Sequence, residues 1–165
     1  MSSTVVITGA NRGVGLALAE QYHQAGWWVI GVCRESSEAL QAAAGRVIEG
    51  IDITQPESVA ALANALQDET VDLLINNAGL LRDEALGSVD FDSIREQMEI
   101  NAYAPLRVVE ALLPTLKKGS KIANITSRMG SIADNDSGGR YGYRASKAAL
   151  NAFGKSLAMD LKPQG

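Results

Sequence analysis

Thr4-Val5-Val6-Ile7-Thr8-Gly9-Ala10-Asn11-Arg12-Gly13-Val14-Gly15 decides the fold of this chain. Five β-branched residues read as a strand and run into a glycine-rich turn. The turn opens a helix predicted from Gly13 to about Ala25, with Leu16, Ala17, Leu18 and Tyr22 on or near its inner stripe. Outward from there the pattern repeats. Trp27–Cys33 reads as a second strand, Ser37–Ala44 as a short helix, and Arg46–Ile51 as a third strand. A helix opening at Pro56, just after Thr54, runs to about Asp68, since proline suits a first helical turn. Asp72–Asn76 is the fourth strand. A long helix follows from Asp90, its N-cap, to Leu116, with a kink expected at Pro105. Lys121–Ser127 is the fifth strand and Tyr141–Leu161 the last helix. Strands alternating with helices predict one α/β domain, a parallel sheet covered on both faces.

Length and charge narrow the function classes. The 165 residues suit a single domain, and 46% apolar with 21% charged residues is ordinary globular composition. Apolar runs stay short of a membrane span, and Met1-Ser2-Ser3 lacks the basic flank of a secretory signal. Cys33 is the sole cysteine, so the chain suits a reducing, cytoplasmic compartment without an internal disulfide. A net charge of −4 argues against nucleic acid as a partner, though not against a local basic pocket. His23 stands alone, and no cluster has metal-ligand spacing, so no metal is expected.

The turn from Thr8 to Gly15 is the first candidate site. Unpaired amides and the helix dipole favour an anion there, and glycines let a pyrophosphate approach the main chain. Its Gly-x-x-x-Gly-x-Gly spacing departs from the general Gly-x-Gly-x-x-Gly dinucleotide fingerprint. Strand two ends Val32-Cys33-Arg34, where an NAD-preferring site would carry a carboxylate. Arg12 and Arg34 converging on one pocket suit the additional phosphate of NADP, the competing reading being two solvated surface arginines. Gly9, Asn11, Arg12, Gly13, Val14, Gly15 and Arg34 are therefore candidate cofactor-binding residues.

The second constellation is Tyr143 and Lys147. An i, i+4 spacing sets both side chains on one helix face. Tyrosine is a poor acid–base group at neutral pH, with an ordinary pKa of about 10, and a nearby ammonium favours the tyrosinate. Lys147 thus supplies a means to mobilise the Tyr143 proton near working pH. A structural helix pair has the same spacing. What tips the balance is Ser127, ending the preceding strand, where a hydroxyl can stabilise charge developing on a substrate oxygen. Tyr141 lies off this face, and Tyr22 and Tyr103 have no lysine four residues on and read as packing residues.

Taken together, these segments resemble the short-chain dehydrogenase/reductases over essentially the whole chain. Thr8–Gly15 is similar to that family's own glycine motif, Asn76-Asn77-Ala78-Gly79 to its second signature, and Tyr143-Arg144-Ala145-Ser146-Lys147 to its Tyr-x-x-x-Lys. The resemblance implies a Rossmann-like, doubly wound parallel sheet. It implies Asn101, Ser127, Tyr143 and Lys147 as the catalytic tetrad, Asn101 anchoring a water in a proton relay and Lys147 also holding the nicotinamide ribose. It implies Asp52 and Ile53 near the adenine, and Asn77, Ala78 and Gly79 beside the cofactor, with Asn76 adjoining. Among subgroups the chain looks most like the small carbonyl reductases related to the sniffer and C-signal proteins.

The expected function is NADPH-dependent reduction of a ketone or aldehyde, or the reverse, with NAD(H) also admissible. The alternatives are a nucleotide-binding signalling module with vestigial activity, and an isomerase or dehydratase of the same superfamily. Leu80, Leu81 and Met129 suggest an apolar substrate lining, with a mobile loop over Ala133–Gly139. The family often pairs through two long helices, implying a homo-oligomer, a dimer or tetramer. It also continues past the Tyr-x-x-x-Lys helix with two more strands and a substrate-covering segment. A chain of these residues alone is therefore expected to be a fragment or remnant lacking those strands. It would have an open edge at Ala123-Asn124-Ile125, weak catalysis and a tendency to self-associate.

Overall fold

The computed structural model describes residues 2–165. Five strands form one sheet in the order β3-β2-β1-β4-β5: β1 Thr4–Thr8, β2 Trp28–Val32, β3 Arg46–Ile48, β4 Val71–Asn76 and β5 Leu116–Asn124. Every neighbouring pair is parallel. The helices between them are α1 Gly13–Gln24, α2 Glu38–Ala43, α3 Pro56–Ala65, α4 Phe91–Met98, α5 Ala104–Leu112 and α6 Tyr141–Leu161. Among the described residues no helix is long and apolar enough to cross a membrane.

Alternation along the strands divides the core between the two sheet faces. Val6, Ile30, Val32 and Leu74 pack with Val59, Leu62, Val108, Val109 and Leu112 from α3 and α5. Val5, Ile7, Val29, Leu73 and Ile75 pack with Ala19 and Leu40 from α1 and α2. On α1 the buried stripe is Gly15 and Ala19, with Leu16, Leu18 and Tyr22 half-buried, whereas Ala17 faces solvent. Tyr22 meets Trp27 edge-on, ring centroids 5.1 Å apart. Tyr103, read as a packing residue, lies against Phe153 and is 45% exposed.

Several expected elements take different bounds, α3 among them, which ends at Ala65 rather than about Asp68. The long helix from Asp90 is capped as predicted, Asp90 Oδ1 accepting from the amides of Asp92 and Ser93 at 2.9 and 3.1 Å. It is not continuous to Leu116. A π turn over Glu99–Tyr103 separates α4 from α5, and a 3₁₀ turn over Leu113–Thr115 closes α5. The irregularity thus directly precedes Pro105, which sits in the first turn of α5 and offers no N–H to the carbonyls of the π turn before it. Strand β3 ends at Ile48 rather than Ile51, although Gly50 and Ile51 still donate to the carbonyls of Arg34 and Cys33. Strand β5 starts at Leu116 and ends at Asn124 rather than spanning 121–127, with a register break opposite Val71–Leu73.

Parallel pairing brings the carboxyl ends of β1, β2, β4 and β5 to one rim. The strand order reverses between β1 and β4, the place where open α/β sheets leave a crevice for ligands. Strand β5 is an edge of the sheet. Beside it runs a groove against α6, lined by Ile122, Asn124, Gly154, Leu157 and Leu161 and by none of the candidate catalytic residues.

Candidate active site

The glycine turn and the segment after β4 are tied together at the switch point. Thr8 Oγ1 accepts from the amides of Asn77 and Ala78 at 3.1 and 3.2 Å. Asn77 Nδ2 donates back to the carbonyls of Thr8 and Gly9 at 3.0 and 3.2 Å. Space between them is so short that a Cβ on Gly15 would lie 2.3 Å from Gly9 O and 2.4 Å from Asn77 Nδ2. The backbone and side-chain amide donors of Asn77 thus hold the turn. Asn76, 3% exposed, donates to Asn124 Oδ1 at 2.9 Å across β4 and β5. Ala78 is half-buried against the core, while Gly79 is exposed on the rim.

The N-terminus of α1 is open to an anion. Arg12 occupies the N-cap in extended conformation without a side-chain cap, and no acidic residue lies in the first turn. Gly13 and Val14 are exposed, and Asn11 is fixed through its carbonyl by Ser37 Oγ at 2.9 Å. Arg34 is exposed just past β2, and its positive charge bears on Asp52. Asp52 lies beyond the end of β3 rather than within it. Its Oδ1 accepts from Thr54 N at 3.0 Å and Thr54 Oγ1 at 2.8 Å, and these bonds, with Arg34 nearby, hold its carboxyl below the ordinary 3.8. Ile53, expected near the adenine, turns its side chain into the core at 8% exposure; only its main chain reaches outward, its carbonyl accepting from Arg107 Nη1 at 3.1 Å. An uncapped helix start with the exposed Arg12 at its N-cap fits the phosphates of a dinucleotide.

Tyr143 and Lys147 share one face of α6, the Lys147 Nζ 5.7 Å from the Tyr143 ring centroid. Lys147 is 4% exposed and donates to Ile125 O at 2.7 Å, and its burial pushes the ammonium below the ordinary 10.5. Asn101 stands in the π turn, fully buried. Its Oδ1 accepts from Leu80 N and its Nδ2 donates to Leu80 O, each at 2.7 Å, and Nδ2 also donates to Ser146 Oγ at 3.0 Å. Ser146 in turn donates to Tyr143 O at 2.9 Å. The amide of Asn101 therefore joins the segment after β4 to the turn of α6 that carries the tyrosine. A Cβ on Gly79 would lie 3.2 Å from Asn101 Oδ1 and 3.7 Å from Lys147 Nζ, so second signature, π turn and lysine border one space.

Ser127 lies three residues past β5, because Lys147 takes the Ile125 carbonyl and the chain leaves the sheet there. It caps a short 3₁₀ turn, Arg128–Gly130, its Oγ accepting from Met129 N at 3.2 Å. That turn rests on α6: a Cβ on Gly130 would lie 2.9 Å from the Lys147 carbonyl carbon and 3.0 Å from Lys147 Cβ. Leu80 and Met129, two of the three expected apolar lining residues, are half-buried, while Leu81 is 49% exposed. Residues 131–138 are exposed. The contributions of Thr8, Ser37 and Ser146 are hydroxyl contacts that sequence reading missed. Thr8 and Ser146 carried a signal, by standing inside the glycine motif and the Tyr-x-x-x-Lys motif, and Ser37 carried none.

Known proteins match this arrangement. The model of the short chain dehydrogenase family matches residues 3–165. A 1-hydroxy-2-glutathionyl-2-methyl-3-butene dehydrogenase of Rhodococcus sp. (strain AD45) is 43% identical over 99% of this chain and 73% of its own length. C-signal of Myxococcus xanthus is 51% identical over 58% of this chain and 59% of its own. The structure of a short-chain dehydrogenase/reductase from Burkholderia multivorans with bound NADP superposes with a TM-score of 0.89. It is 37% identical, the match covering 99% of this chain and 75% of that one. Glycine turn, second signature and Tyr-x-x-x-Lys helix stand at one rim of a parallel sheet, and the chain belongs to the short-chain dehydrogenase/reductase family.

Proposed function

We propose that this oxidoreductase domain reduces a ketone or aldehyde to an alcohol with NADPH, or runs the reverse. The observation that carries the reading is the buried Lys147 ammonium 5.7 Å from the Tyr143 ring. A bound NADPH would supply the hydride that forms the new C–H bond at the carbonyl carbon. Tyr143 gives its phenolic proton to the substrate oxygen, which has received the carbonyl π electrons. Lys147 places positive charge where the phenol becomes negative, and the proton is regained from solvent. Ser127 Oγ can steady the same substrate oxygen. Asn101 holds the segment after β4 against α6, and a water relay there follows from family resemblance. Arg12, Gly13, Val14 and Gly15 would hold the pyrophosphate, Arg12 and Arg34 the 2′-phosphate. Asp52 and the main chain of Ile53 would border the adenine, and Ala78 and Gly79 the cofactor's middle.

The name of the Burkholderia neighbour states bound NADP, and two exposed arginines with no carboxylate at the end of β2 support the same cofactor here. The exposed Phe91, Tyr103 and Met159 on α4–α6 support a homo-oligomer built on those helices, which sedimentation at several concentrations would test. The function itself is tested by NADPH oxidation over a panel of carbonyl substrates. The parent should turn over at least one, and Tyr143→Phe should lower kcat by about 10²–10⁴-fold with NADPH affinity retained. Equal rates in both proteins would remove Tyr143 from the chemistry.

A further inference from the structure

The first turn of α6 carries Tyr143, and the start of that helix is held from outside it. Arg140, at its N-cap, sits in the left-handed region (φ 52°, ψ 43°) and makes no side-chain cap. For a residue with a Cβ that conformation is strained, so something must hold it. Glu84, from the segment between β4 and α4, reaches across. Its Oε2 accepts from Gly142 N and its main-chain carbonyl from Arg140 N, each at 3.0 Å. Its Oε1 accepts from Ser93 Oγ at 2.8 Å and from Gln97 Nε2. Gln97 Oε1 then accepts from Arg82 N at 3.0 Å. Glu84 is 5% exposed and Gln97 fully buried. Gly142 leaves no slack: a Cβ there would lie 2.5 Å from Gln97 Nε2 and 3.0 Å from Ile94 Cα.

Sinking a carboxylate is costly unless its oxygens are bonded, and here donors from α4 and α6 engage both. A serine or aspartate at the N-cap would satisfy the same helix amide locally and without burial. The arrangement present instead fixes α6 relative to α4 and to the chain leaving β4, whose Leu80 also holds Asn101. It acts on the amide directly before Tyr143. We propose that Glu84, oriented by Gln97, is the positioning residue of the tyrosine: it caps α6 from a distance and so sets the phenol against the carbonyl to be reduced. The inference rests on the reductase reading of Tyr143.

The test exchanges the two side chains. E84Q sets an amide NH₂ among donors and leaves one of them unpaired. Q97E sets two carboxylates face to face. The double variant E84Q/Q97E restores the pairings with Gly142 N and Arg82 N and reverses the one with Ser93, whose Oγ now accepts: the new amide at position 84 accepts from Gly142 N and donates to the new carboxylate at position 97, which still accepts from Arg82 N. E84Q should lower kcat by about 10- to 100-fold, with KM and NADPH Kd within about twofold of the parent. Its Gly142 amide should exchange faster with deuterium, and the double variant should regain both rate and protection. An E84Q with parental kcat overturns the inference, as does an equal loss in NADPH affinity or a double variant no better than E84Q. Should E84Q fail to fold, Ser93→Ala removes one donor and keeps the carboxylate. Its kcat should fall several-fold at constant NADPH Kd, and parental kcat in that variant overturns the inference too. A parent without Tyr143-dependent turnover refutes the reductase reading and this inference with it; a fully active E84Q beside a Tyr143-dependent parent refutes this inference alone.

Discussion

Gly15→Ala should damage the cofactor turn more than any neighbouring change of one methyl. The new Cβ would stand 2.3 Å from Gly9 O, 2.4 Å from Asn77 Nδ2 and 3.0 Å from Ala10 Cα. Two of these are main-chain atoms, and the third belongs to an amide already bonded to Thr8 O and Gly9 O, so nothing flexible can yield. Overpacking of this kind costs about 1–3 kcal/mol. Displacing Asn77 forfeits its two bonds at about 0.5–1.5 kcal/mol each, giving a total of about 2–6 kcal/mol. With a urea m-value of about 2 kcal/mol per molar, the unfolding midpoint should fall by roughly 1–3 M. The same displacement separates the glycine turn from the segment after β4, so NADPH affinity, read by quenching of intrinsic fluorescence, should fall as well. A variant with the parental midpoint and parental NADPH affinity would show that the turn and Asn77 are not locked together, and the cofactor site built on that lock would be wrong.

Arg34→Ala should weaken NADPH binding by about 10- to 100-fold, the worth of a charge-assisted contact to phosphate, and leave NADH binding nearly unchanged; equal change for both removes the 2′-phosphate assignment. Burial lowers the Lys147 ammonium below 10.5, so kcat/KM for carbonyl reduction should fall on the alkaline side at a pH below the ordinary lysine range. A limb at or above 10.5 would show that Lys147 keeps its proton as a solvated lysine does. Between its folded value and 10.5 the unfolded chain holds the proton that the folded chain has lost, so this group's contribution to stability rises with pH there; the parent's urea midpoint should rise relative to that of Lys147→Met over that window. Gly130→Ala pushes a methyl to 2.9 Å from the Lys147 main chain and should shift Ser127 away from α6, lowering kcat about 10-fold or more with NADPH affinity retained. Loss of NADPH affinity to the same degree would mean that the turn supports the cofactor site rather than the substrate oxygen.

What was legible in the sequence is what local spacing carries. A β-branched run into glycines, and a tyrosine four residues before a lysine, each specify geometry within one turn of chain, and the structure places them so. The breaks in the long helix were not legible. The π turn at Glu99–Tyr103 contains no breaker residue, and Pro105 draws the eye past it. What stands there is Asn101, whose partners Leu80 and Ser146 lie 21 and 45 residues away. The end of β5 was missed for a similar reason. Ile125 reads as strand, but its carbonyl is taken by Lys147, 22 residues on. Ile53 shows a different limit: a place beside a cofactor segment does not say which way the side chain turns, and here the core holds it while its carbonyl accepts from Arg107. Glu84 offered no signal at all, since an acidic residue in a polar segment reads as solvated until Ser93, Gln97 and Gly142 close around it. Groups that would touch substrate or cofactor are legible because their chemistry fixes their type and spacing. Groups that aim them are chosen by whichever donors the fold brings within reach, so only coordinates show that the helix start carrying Tyr143 is capped by a carboxylate 58 residues before Gly142.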